Sequence, residues 1–78
     1  MAEIKPDEKL DLTGVTCPQN VAQALLKLEI METGSILEII IDDGEPIQNV
    51  PPSIKVEGHK LLEQKKIGEK WILLVKKI

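Results

Sequence analysis

The chain has no phenylalanine, no tyrosine and a single tryptophan, so its core is expected to be aliphatic. Cysteine and histidine each occur once. A lone cysteine forms no internal disulfide; it suits a reducing compartment and is either an inert buried thiol or a free reactive one. One cysteine and one histidine are too few for a three- or four-ligand zinc site unless carboxylates join them, so neither a metal nor another cofactor is expected. Positive charge is also short, with 10 Lys and Arg against 13 Asp and Glu. That field opposes the neutralisation of phosphates, and with so few aromatics for base stacking it argues against direct nucleic-acid binding. No apolar run approaches the roughly 20 residues of a membrane span. The N-terminal "MAEIKPDEK" lacks an apolar signal core. No membrane association and a cytoplasmic location are therefore expected.

The chain has 78 residues, a length that buries little more than about 60% of the unfolded surface and supports one core without a large enclosed active site. Residues 1–8 read as a flexible polar tail and 9–78 as the domain. Leu10 and Leu12 stand at period two, and Thr13 and Gly14 interrupt them, so a short strand runs into a turn. From Pro18 to Met31 the period changes: Val21, Ala24, Leu25, Leu28 and Met31 recur at helical spacing, and Gly34 is placed to end the helix. "SILEIIID" alternates, with Leu37, Ile39 and Ile41 on one side and Ile36, Glu38 and Ile40 on the other. A second helix is expected after the "DDGEP" turn, with Pro46 in its first turn, Ile47, Val50 and Ile54 buried and Gly58 as its stop. Pro51 and Pro52 each lack a backbone donor, so a kink or two short pieces is expected there. "KLLEQKKI" and "KWILLVKKI" read as two strands joined near Gly68.

The resulting order is β-α-β-α-β-β, an α/β (α+β) class, and right-handed crossovers place both helices on one face of a four-stranded mixed sheet. Ile36, Ile40, Ile72 and Leu74 share parity on the other face. They form either an association patch, and through it a homo-oligomer, or ordinary scattered surface aliphatics.

The one thiol sits in "DLTGVTCPQN". Cys17 falls at the expected N-cap and Pro18 at N1, where fixed φ suits a helix and a missing N–H costs nothing. A sulfur there faces unpaired backbone N–H groups at the positive end of the helix dipole, a setting that lowers a cysteine pKa and favours a thiolate or persulfide. The inert reading, a small buried apolar residue, stands beside it. His59, after Gly58, reads as a surface residue at a helix exit.

These stretches together resemble the TusA/SirA-like family of small sulfur-carrier proteins: "LDLTGVTCP", "LEIIIDDGEP", "NVP", "EGH" and the closing "WILLVKK", in one order over roughly residues 9–77. The resemblance implies a two-layer sandwich of two helices on a four-stranded mixed sheet. It further implies that Cys17 accepts a persulfide from a cysteine desulfurase or rhodanese-like donor. The sulfur then passes to a downstream sulfur-accepting protein, in a pathway such as tRNA thiolation, molybdenum cofactor formation or other sulfur metabolism. Such a chain is a sulfurtransferase-type relay rather than a stand-alone catalyst, and with no second cysteine its partners supply the other thiols. Gly14, Pro18, Gln19 and Asn20 would support the thiol at the helix N-terminus. The alternative is a regulatory or interaction module of the same fold without sulfur transfer.

The sequence departs from the family motif at one position. Cys-Pro-x-Pro is usual, whereas this chain reads Cys17-Pro18-Gln19-Asn20. Asn restores a backbone N–H and adds a side-chain amide at the expected N3 position, from which a side chain can reach back to the N-cap. It either gives the sulfur a donor or is a tolerated first-turn residue.

Overall fold

The computed structural model describes residues 5–16 and 19–78. Along the chain run β1 (Glu8–Asp11), α1 (Gln19–Ile30), β2 (Ile36–Asp42), α2 (Glu45–Val56), β3 (Lys60–Ile67) and β4 (Lys70–Lys76). The four strands form one sheet in the order β1-β2-β4-β3, with β1 parallel to β2 and the other neighbours antiparallel. This is the expected mixed sheet. A parallel pair needs a crossover, which α1 supplies; β2 reaches β3 through α2 in the same direction across the sheet, so right-handed connections put both helices on one face.

Strand β2 carries the packing. Its alternation is as clean in space as in sequence, with Leu37, Ile39 and Ile41 fully buried and Ile36, Glu38 and Ile40 half-buried. Leu37 and Ile39 lie opposite Val75 and Leu73 of β4. The helices add Ala24, Leu28, Val50 and Ile54, and Leu12 completes a core without an aromatic ring. On the uncovered face Ile40 and Ile72 stand directly opposite one another. Lys9 reaches Glu38 across this face at 3.8 Å. Glu38, Glu63 and Lys65 join Ile67 and Ile72 around Leu74, leaving Leu74 7% exposed. Charged side chains thus stand among the four aliphatics rather than framing a bare patch.

Four details differ from expectation. First, Asp7 and Glu8 do not belong to a loose tail. Glu8 opens β1, and the Asp7 N–H donates to the Ile36 carbonyl at 2.7 Å while its Oδ2 accepts the Ile36 N–H at 2.8 Å. Second, α2 is one helix through Pro51 and Pro52 rather than two short pieces. Pro51 is buried, so its ring packs in the core where its N–H would have served only the helix ladder. Third, Gly34 does not end α1: it lies beyond the helix in the turn that the Ser35 N–H closes on Glu32 O at 3.0 Å. The end of α1 is instead capped from β4's exit, where Lys77 Nζ donates to Leu28 O at 2.5 Å and Glu29 O at 3.1 Å. Fourth, β3 contains a bulge between Leu61 and Glu63, which lets the adjacent Leu61 and Leu62 both become half-buried. Gly58 does end α2. At φ +92 it allows the His59 N–H to reach Ile54 O and its own N–H to reach Lys55 O, the paired bonds of a left-handed helix stop.

The β3–β4 hairpin is fastened to the end of β2 by Asp43. Its Oδ1 accepts the Trp71 indole N–H at 2.8 Å, its Oδ2 lies 3.4 Å from Lys66 Nζ, and its backbone N–H donates to Glu69 O at 3.0 Å. The Trp71 bond first, then the Gly44 backbone N–H and Lys66, hold its carboxyl below the ordinary value of 3.8.

Two predictions follow from these links. Replacing Lys77 with Met removes a cation from the last carbonyls of α1 and should lower unfolding free energy by roughly 1 kcal/mol, read from the urea midpoint. A depressed folded pKa means that Asp43 contributes stability above its unfolded pKa and loses it as pH falls through the folded one. Trp71 fluorescence should therefore titrate with a midpoint below 3.8, and Asp43→Asn should abolish that transition.

Candidate functional site

Strand β1 ends at Asp11, and the chain turns sharply before α1. The Val15 N–H donates to Leu12 O at 3.1 Å, with Gly14 at φ +79 in the third position of the turn. That backbone angle disfavours any residue with a Cβ. Asp11 Oδ1 accepts the Thr13 N–H at 2.9 Å and the Thr13 hydroxyl at 2.6 Å. These bonds, the hydroxyl foremost, lower the Asp11 pKa from its ordinary 3.8. Across the gap, Asp42 at the end of β2 takes the Gly14 N–H on Oδ2 at 2.6 Å. The loop is thus tied to both strands it lies between.

Gly14, Val15 and Thr16 share an open hollow of about 260 Å³ with Asp42, Glu45 and Pro46. Glu45 and Pro46 begin α2, whose N-cap Gly44 has no side-chain capping bond. The start of α2 therefore lies beside the loop that leads into α1. Asp42 and Glu45 bring carboxylates to the same place, Glu45 in the first helical turn, where negative charge matches the helix dipole.

Of the expected site residues, Gly14 and Gln19 are exposed and Asn20 is buried. Cys17 and Pro18 lie outside the described residues, as does the expected placement of Cys17 at N-cap and Pro18 at N1. The first described α-helical bond runs from the Asn20 N–H to Thr16 O at 3.1 Å, so the accepting carbonyl sits one residue before the expected N-cap. The backbone N–H that Asn20 adds over a proline is used in this bond. Its side chain does not reach back toward the helix start either: Oδ1 accepts the N–H of the following residue, Val21, at 2.7 Å.

Asn20 continues the most buried line of α1, one turn before Ala24 and two before Leu28, and all three are 0% exposed. Its Nδ2 has no hydrogen-bond partner among the described residues. Helical periodicity in the sequence started this stripe at Val21, because a polar side chain was not counted as core. Thr16, Asp42 and Glu45 were equally missed as neighbours of the loop; the adjacent acids of "DDGEP" were the available signal and were read as turn formers. His59 is at the other end of the molecule. With Leu25, Glu29, Lys77 and Ile78 it lines a hollow beside the last turns of α1, and its Nδ1 accepts the Ile78 N–H at 3.3 Å.

No helix among the described residues is long and apolar enough to cross a membrane. A solved structure of a SirA-like protein from Desulfitobacterium hafniense superposes with a TM-score of 0.74, at 22% identity, over 88% of this chain and 95% of that one. The two share the fold of two helices on a mixed four-stranded sheet. A candidate sulfur carrier protein of Archaeoglobus fulgidus is 43% identical over 76 residues, which is 96% of this chain and 86% of that protein. The sulfur carrier protein TusA of Allochromatium vinosum is 32% identical over 71 residues, or 91% and 93% of the two chains. The sequence model of the family described as sulfurtransferase TusA matches residues 8–77, a span that takes in the loop at Gly14, the lone cysteine and both helices. The chain belongs to the TusA family.

Proposed function

We propose that this chain is a sulfur carrier, with Cys17 as the atom that is loaded and unloaded. The observation that carries the reading is the family match across residues 8–77, which includes the only cysteine in the sequence. The geometry supports it from either side. Gly14 and Thr16 before the cysteine and Gln19 after it are exposed, and the approach is braced by the Gly14–Asp42 bond. A partner protein can reach these flanking residues without entering a pocket. Residues 9–78 act in this reading as one unit, with Asp7 and Glu8 added by their bonds to β2 and α1.

Loading is thiol exchange. The Cys17 thiolate attacks the terminal sulfur of a donor persulfide; a new S–S bond forms at Cys17, the donor's S–S bond breaks, and the donor cysteine leaves as a thiolate. The number of S–S bonds is unchanged, so no oxidant or reductant is consumed. Unloading repeats the step, with an acceptor nucleophile attacking the outer sulfur and the Cys17 thiolate leaving. A cysteine desulfurase or a rhodanese-like protein fits the donor, because each holds sulfur as a persulfide on cysteine; a downstream sulfur-accepting protein completes the relay. The chain is then a member of a sulfurtransferase pathway rather than a stand-alone catalyst. A cytoplasmic setting suits a thiol that must stay reduced between cycles.

Incubated with a cysteine desulfurase and free cysteine, the chain should gain one sulfur atom in its intact mass, and a reducing agent should remove it. Cys17→Ala should gain none. Loading that is equal in the Cys17→Ala chain, or absent from the parent with both a cysteine desulfurase and a persulfide-loaded rhodanese-like donor, would sink the proposal.

A further inference from the structure

The sheet carries helices on one face only, and strand register makes a grid of the other. Across β2 and β4, Glu38 lies beside Leu74 and Ile40 beside Ile72. At one edge β1 adds Lys9 next to Glu38 and Asp11 next to Ile40. At the other edge β3 adds Glu63 next to Leu74 and Lys65 next to Ile72. Lys9 and Asp11 flank Leu10, which packs against the core, so strand alternation assigns both to the uncovered face. Glu63 and Lys65 border a hollow of about 180 Å³ on that face, beside Ile72 and Leu74. Two consecutive rows thus have Lys9 and Glu63 at their ends in the first and Asp11 and Lys65 in the second. The β1 edge presents positive then negative charge, and the β3 edge negative then positive.

We propose that this face is the contact between two copies of the chain, related by a two-fold axis running along the strands between β2 and β4. Such an axis exchanges the columns of the grid and keeps its rows. It sets Lys9 against Glu63 of the second copy and Asp11 against Lys65, and it lays Ile40 over Ile72 at the hollow. Each contact occurs twice, because a two-fold interface uses the same patch on both molecules. Complementary edges single out the occupant: a partner of one charge sign opposes half of these groups, whereas a second copy matches all four. The face bears both signs although the chain has a net charge of -3, so repulsion between copies is not concentrated there. Glu38 keeps Lys9, 3.8 Å away, as its counter-ion within the contact. The molecule measures 28 × 28 × 18 Å, thin across its two layers, and its broad side has room for the roughly 800 Å² that each partner gives to a standard interface. The product has four layers, with the two sheets inside about 10 Å apart. Both helices, and the hollow beside Gly14 at the start of α2, stay outside the contact.

The test reverses charge at one pair. Lys9 and Glu63 are three strand spacings apart in one molecule, about 14 Å, beyond the screening length of about 8 Å at physiological salt. Coupling between them therefore reports a contact between molecules. Parent, Lys9→Glu and Glu63→Lys chains are sedimented over a concentration series, with a reducing agent present so that no dimer forms through the thiol. The parent should be a dimer that dissociates on dilution. Each variant alone places like charges together twice, and its dissociation constant should rise roughly tenfold or more. An equimolar mixture of the two variants pairs opposite charges at both positions and should dimerise as the parent does. Both side chains are exposed, so the variants fold, which circular dichroism checks. A parent that stays monomeric at millimolar concentration overturns the proposal, as does an assembly larger than a dimer. Single variants that associate like the parent place the contact elsewhere, and a mixture no tighter than its components rules out the two-fold register; either result overturns it too.

Discussion

The parallel pairing of β1 with β2 is the constraint from which the rest follows. Two parallel neighbours cannot be joined by a hairpin, so the chain must leave β1 at one edge of the sheet and return across its face as α1. The loop over residues 12–16 is the consequence, and it must lie where β2 also ends. Asp42 is therefore within reach of Gly14, and the start of α2 comes to the same edge. In the sequence the lone cysteine follows that loop and precedes α1. The core beneath needs only aliphatic side chains, because its layers meet through one stripe on each helix and alternate residues on β2 and β4.

Much of this was legible. Strand β2 could be read residue by residue, since one buried and one half-covered face give strict alternation. Helix α2 was legible in its buried set of Val50 and Ile54 and in its stop at Gly58, but not in its continuity. Local rules treat Pro51 and Pro52 as breaks, whereas the helix runs through both with Pro51 buried. The end of α1 was misplaced for a related reason. Gly34 is a local signal, while the cap comes from Lys77, nearly fifty residues away in sequence, and no local pattern records such a contact. The bulge in β3 left a faint mark in the adjacent leucines 61 and 62. The family and its fold were readable from motifs spread along the chain, because matching stretches in one order constrain more than any single turn.

The site was legible in its parts and not in its assembly. Gly14 and Gln19 are exposed. Asn20 was noticed because it departs from the family proline, yet sequence could not show that it is fully enclosed. That burial changes its meaning. On the surface an amide is satisfied by water, whereas an enclosed donor without a partner costs about 1–3 kcal/mol.

A carrier must release what it accepts, and this half of the cycle is the most direct test of the account. The chain is loaded with isotope-labelled sulfur by a desulfurase, freed of the donor, and mixed with a reduced rhodanese whose own cysteine acts as acceptor. The label should move to the rhodanese cysteine in equal amount, and the mass of the chain should return to its starting value with a free thiol at Cys17. Label that stays on the chain, or that is lost as sulfide while chains become joined through Cys17, would contradict the account.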